Sequence, residues 1–138
     1  MFLNEKFELN ILEHFSKYKA LNSHTKLFPF VNKELKLELK IYNKWVGEAL
    51  LSTFLNMIFQ NADDHGKENE NDFKILVIEE SSKRLIFRNN TWYEKEAIPE
   101  KLTGNLLLFS ELINKSTQMK MIIDSGNYEF KLTLIWIE

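Results

Sequence analysis

The sequence predicts an α/β (α+β) two-layer sandwich: a mixed β-sheet with three helices on one face, formed by a single domain over residues 1–138. Three patterns predict it. Leu35, Leu37, Leu39 and Ile41 alternate with Lys36, Glu38 and Lys40, the period of a half-buried strand. The closing stretch Tyr128–Trp136 alternates in the same way. Between them Leu51, Phe54, Leu55, Ile58 and Ala62 fall at helical spacing.

Taken from the N-terminus, Phe2–Leu9 is short, apolar-rich and strand-like. Ile11, Leu12, Phe15 and Tyr18 then mark a helix over Ile11–Leu21, with Asn10 as its N-cap. A polar stretch from Asn22 to Lys26 leads into Phe28-Pro29-Phe30, which carries no strand or helix period and reads as irregular. The strand Leu35–Ile41 precedes the helix Glu48–Asp64, and Gly66 is expected to close that helix as its C′ residue. Phe73–Glu79 and Arg84–Asn89 form a hairpin through Glu80-Ser81-Ser82-Lys83. Thr91–Lys101 has no period, whereas Leu102–Thr117 reads as the third helix with Thr103 as its N-cap. Gln118–Asp124, the turn Ser125-Gly126-Asn127 and Tyr128–Ile137 finish the chain.

Composition excludes several function classes. The chain has 18 basic and 20 acidic residues, so no basic field draws it to nucleic acid. Only Arg84 and Arg88 could offer a guanidinium fork to a phosphate. With no Cys, disulfide scaffolds, thiolate zinc sites and thiol catalysis are excluded. No apolar run approaches the roughly 20 residues of a membrane helix, and Met1–Asn10 does not read as a signal peptide. A cytoplasmic location is expected. His14 and His24 read as surface or core-edge residues, and Asp63 with Asp64 as a solvated helix face.

Asn61-Ala62-Asp63-Asp64-His65-Gly66 resembles the N-box of the GHKL ATPase superfamily, the Bergerat-fold group of gyrases, heat-shock chaperones, histidine kinases and mismatch-repair ATPases. Arg84–Asn90 lies where that family has the strand ending in its adenine-box Asp-Asn-Gly, and Leu102-Thr103-Gly104-Asn105-Leu106-Leu107 where it has its glycine-rich lid. The closing strands also match, so the resemblance covers residues 2–137. It implies ATP or ADP with Mg2+ as cofactor. It also implies a nucleotide-binding set of Asn61, Asp64, His65, Asn89, Asn90, Thr91, Thr103 and Gly104. Asn61 would be the magnesium ligand, since a hard cation takes oxygen donors. The adenine-reading residue is Asn89, or Asn90 if the register slips by one.

The departures shape the expected function. Four residues before Asn61 the hydrolysing members carry a Glu as general base; here the residue is Met57, which cannot accept a proton. Asp64 stands where histidine kinases tend to have a cation aimed at phosphate. Of three lid glycines only Gly104 remains, with Leu102 and Leu106 at the other places. A degenerate domain follows, regulatory rather than catalytic, binding adenine nucleotides weakly and through the base more than the phosphates. The rival expectation is an active subunit of a split histidine kinase or an anti-sigma-type serine kinase. In either case the partner is a protein such as a response regulator, a kinase or a sigma-factor-type regulator. A homodimer is compatible, and nucleic acid and membrane are not expected partners.

Overall fold

The computed structural model describes residues 5–31, 36–41, 44–81, 84–92, 110–111, 119–126 and 128–136. The elements in chain order are β1 (Glu5–Asn10), α1 (Ile11–Leu21), β2 (Leu27–Val31), β3 (Lys36–Ile41), α2 (Lys44–His65), β4 (Lys74–Ser81), β5 (Arg84–Asn90), β6 (Met119–Gly126) and β7 (Glu129–Trp136). Five strands form one sheet in the order β2-β4-β5-β7-β6. β2 is parallel to β4 and the other pairs are antiparallel, so the sheet is mixed. Because β2 and β4 run the same way, the chain must recross the molecule between them, and α2 lies in that crossover.

Local chemistry explains the elements. Asn10 sits at φ −72°, ψ 118° and its Oδ1 accepts from the Glu13 amide at 2.9 Å, satisfying one of the orphan donors at the start of α1. In β5, Leu85, Phe87 and Asn89 are buried while Arg84 and Asn90 are exposed; in β7, Phe130, Leu132 and Leu134 are buried. These inward residues meet Phe54, Leu55, Ile58 and Phe59 of α2, with Phe54 edge-on to Phe87 at 6.0 Å. Phe59 in turn receives Phe15 at 5.1 Å and Tyr18 at 5.5 Å, which seats α1 on α2. Full burial of each such ring contributes roughly 1.5–3 kcal/mol. The helices therefore cover one face of the five-stranded sheet, as expected.

The described residues include the two helices α1 and α2; the predicted third, 102–117, lies outside them apart from Ser110 and Glu111, which are helical. Other expectations are corrected. The strands are not all in one sheet: β1 and β3 pair with each other, Phe7 opposite Leu39, as a separate antiparallel ribbon. The Phe28-Pro29-Phe30 stretch is not irregular but belongs to strand β2. Proline is tolerated there because β2 ends the sheet order, where a missing N–H removes no ladder bond. Its apolar residues hide the alternation, with Phe28 and Phe30 half-exposed opposite the buried Leu27. The last hairpin turns one residue later than expected, since Gly126 still pairs with Glu129 and Tyr128 takes a φ of 65°.

Candidate functional site

The end of α2 docks against the end of β5. Gly66 forms an isolated antiparallel bridge with Thr91, and the Lys67 amide donates to the Asn90 carbonyl at 2.8 Å. The Thr91 amide donates to the Tyr128 carbonyl at 2.7 Å, tying the seam to the β6–β7 turn. Gly66 is needed for space rather than for handedness: its φ lies outside the left-handed region, so the expected C′ role is corrected. A Cβ there would stand 2.3 Å from the Ala62 carbonyl oxygen and 3.5 Å from Asn89 Nδ2.

Strand alternation puts Asn89 and Asn90 on opposite faces of the sheet. Asn89 shares the helix-covered face with Leu85 and Phe87 and is 6% exposed, whereas Asn90 points to the other face and is exposed. Asn89 Nδ2 donates to the Asn90 carbonyl at 3.2 Å, while its Oδ1 accepts no hydrogen bond among the described residues. Thr91 is 2% exposed and its hydroxyl oxygen has no hydrogen-bond partner among the described residues. Two adjacent inward polar side chains with unused capacity are unusual, since buried polar groups are normally satisfied.

Asn61 is half-buried on the last turns of α2, and its amide enters no hydrogen bond among the described residues. His65 ends the helix and is exposed, a position the helix dipole favours. Asp64 is exposed and lines a cleft of about 450 Å³ with Asp63 and the Leu21–Thr25 stretch, on the α1 side of the helix. Thr103 and Gly104, like Leu102 and Leu106, lie outside the described residues. Met57, four residues before Asn61, is half-buried and packs against the core. Among the described residues no group of three or more His, Asp or Glu could hold a metal ion.

Two readings of polar residues change. Asp63 is not a solvated carboxylate: its Oδ2 accepts from the Tyr18 hydroxyl at 2.7 Å and the Thr25 hydroxyl at 2.6 Å. Its backbone carbonyl accepts from Lys74 Nζ. Burial, and then the bond to Asp63, push the Tyr18 phenol well above its usual range, so it remains a donor. His14 is buried, 2.9 Å from Asn56 Oδ1 and stacked on Phe59 at 6.3 Å. Arg88 is committed to Glu79, with bonds of 3.3 and 3.1 Å, so one of the two candidate phosphate forks is already occupied.

No family model and no curated protein matches the chain. Solved structures do. The catalytic domain of histidine kinase ThkA, in a nucleotide-free form, superposes with a TM-score of 0.60 at 15% identity, over 96% of this chain and 97% of that one. Histidine kinase AdeS of Acinetobacter baumannii gives a TM-score of 0.60 at 11% identity, over 99% of this chain and 69% of its own. The cytoplasmic segment of histidine kinase QseC gives 0.56 at 14%, over 99% and 76%. Among the described residues no helix is long and apolar enough to cross a membrane. The chain has the fold of histidine-kinase catalytic domains.

Proposed function

We propose that the chain is a degenerate GHKL-type domain that binds adenine nucleotides weakly and acts as a regulatory, signal-transducing protein without phosphotransfer or hydrolysis of its own. The observation that carries this reading is the inward pair at the end of β5. Asn89 Oδ1 is available to accept from an exocyclic amino group, and the unpartnered Thr91 hydroxyl lies two residues on along the same strand face. Asn61 would supply magnesium with a neutral oxygen while the nucleotide phosphates supplied the rest. Met57 removes the proton acceptor that hydrolysis needs, a contribution typically of about 10²–10⁴-fold in rate. Such a domain would work in the cytoplasm through a protein partner of the response-regulator, kinase or sigma-factor-regulator kind.

Titration with adenosine, ADP and ATP, with and without magnesium, tests this. Adenosine should bind, ATP should add little, and Asn89→Ala should weaken all three about fivefold, the size of one neutral hydrogen bond of about 1 kcal/mol. No ATP turnover should accompany binding. The unbonded Asn61 amide favours one rival, an active nucleotide-dependent kinase subunit. A steep magnesium-dependent gain from adenosine to ATP, lost in Asn61→Ala, would establish that rival instead.

A further inference from the structure

Asp63 stands two residues after Asn61 and three before Gly66, and it joins the last turn of α2 to three other parts of the chain. One carboxylate oxygen takes hydroxyl bonds from Tyr18 of α1 and Thr25 of the α1–β2 connection, at 2.7 and 2.6 Å. The backbone carbonyl of the same residue accepts from Lys74 Nζ of β4. Thr25 is itself anchored, because its hydroxyl oxygen accepts from the Leu27 amide at 3.2 Å at the start of β2. Helical residues two apart are separated by about 200° around the axis. Asp63 and Asn61 therefore look to opposite flanks, with Ala62, 1% exposed, turned to the core between them. Alanine is a small knob and by itself resists rotation of the turn poorly. The polar ties of Asp63 and the Gly66–Thr91 bridge together fix that rotation.

We propose that Asp63 is a positioning residue of the candidate site: held by Tyr18 and Thr25, it sets the rotation of the α2 terminal turn and so the seam against which Asn89 presents its free oxygen. This rests on the nucleotide reading above. The route is short. The Gly66 amide donates to the Ala62 carbonyl at 2.9 Å, the Lys67 amide closes on the Asn90 carbonyl, and that carbonyl is also the acceptor that orients the Asn89 amide. A turn released from Tyr18 and Thr25 shifts Gly66 and Lys67, and with them the Asn89 side chain.

The test compares Asp63→Ala and Thr25→Val with Thr25→Ser, which keeps the hydroxyl, and with Phe15→Leu, which loosens α1–α2 packing without touching Asp63. Each is titrated with adenosine well below its melting temperature, and the Asn89 side-chain amide resonances are recorded without ligand. Asp63→Ala and Thr25→Val should weaken adenosine about fivefold, one neutral hydrogen bond's worth, and move the Asn89 resonances. Thr25→Ser and Phe15→Leu should do neither, although Phe15→Leu lowers the melting temperature. Unchanged affinity and resonances in Asp63→Ala, or an equal change in Phe15→Leu, would overturn the positioning role. If the wild type binds no adenosine, the nucleotide reading fails instead. The Asn89 resonances alone then decide whether Asp63 controls the seam.

Discussion

Gly66 shows how one residue can be legible in kind and missed in reason. A glycine after a helix invites the left-handed C′ explanation, but here the missing Cβ makes room for the Ala62 carbonyl, and Asn89 Nδ2 lies just beyond. Gly66→Ala places a methyl group against backbone, which cannot rotate out of the way as a side-chain tip can. Overpacking of this kind typically costs about 1–3 kcal/mol, and urea denaturation should show a loss of that size. A loss below about 0.5 kcal/mol would mean that the Gly66–Thr91 seam is looser than the structure has it. Asn10 was legible because its cap partner is three residues away. Asp63 was not, because Thr25 and Tyr18 lie 38 and 45 residues away in sequence, and a carboxylate beside another carboxylate on a helix end reads as solvated until the fold brings hydroxyls to it. Asn89 and Asn90 could not be told apart from their identities alone; strand parity, counted from the buried Leu85 and Phe87, separates them.

At the level of elements, the strand or helix spacing of apolar residues in the sequence located β3, α2, β5 and β7. β2 escaped because both of its faces are apolar, with Phe28 and Phe30 on the exposed one, and a proline interrupts it. The face of the sheet away from the helices carries its own order. Arg88 on β5 binds Glu79 on β4 through two nitrogens and approaches Glu129 on β7 at 3.7 Å, a row of charges across three strands. The guanidinium holds the Glu79 carboxyl below its ordinary 4.5, and Glu79 in return raises Arg88, which stays charged throughout. Glu79 therefore binds its proton less readily in the folded state than in the unfolded one. Its contribution to stability is present above the ordinary carboxylate range and is lost as pH falls through the lowered value. Both side chains are more than a third exposed, so screening keeps the effect at the level of a surface pair, about 0.2–1 kcal/mol. Glu79→Gln should cost that much at pH 7 and nothing at pH 2. Denaturation midpoints that fall by the same amount at both values would remove the ion pair from the account.

The whole molecule divides into parts of unequal cooperativity. β5 is paired on both sides, by β4 and by β7, and its inward residues are covered by α2 through contacts such as Phe54 on Phe87. Breaking any of its hydrogen bonds exposes the central core, so its amides should open only with global unfolding. The β1–β3 ribbon differs in kind. It has two strands, each paired along one edge only, and it rests on α2 instead of extending the five-stranded sheet. A two-stranded ribbon has little stability of its own and depends on the surface it packs against. Native-state hydrogen exchange should therefore give β4, β5 and β7 the slowest amides with a common free energy, and β1 and β3 a lower one shared between the two strands, because neither can open without unpairing the other. The end of α2 provides the internal control. Through Asp63 and the Gly66–Thr91 bridge it is bound to α1, β4 and β5, so Gly66 and Lys67 should exchange with the sheet and not with the ribbon. Ribbon amides as slow as those of β5 would show that the fold opens as one unit, and fast exchange at Gly66 and Lys67 would place the candidate site on a part of the molecule that opens independently of the sheet.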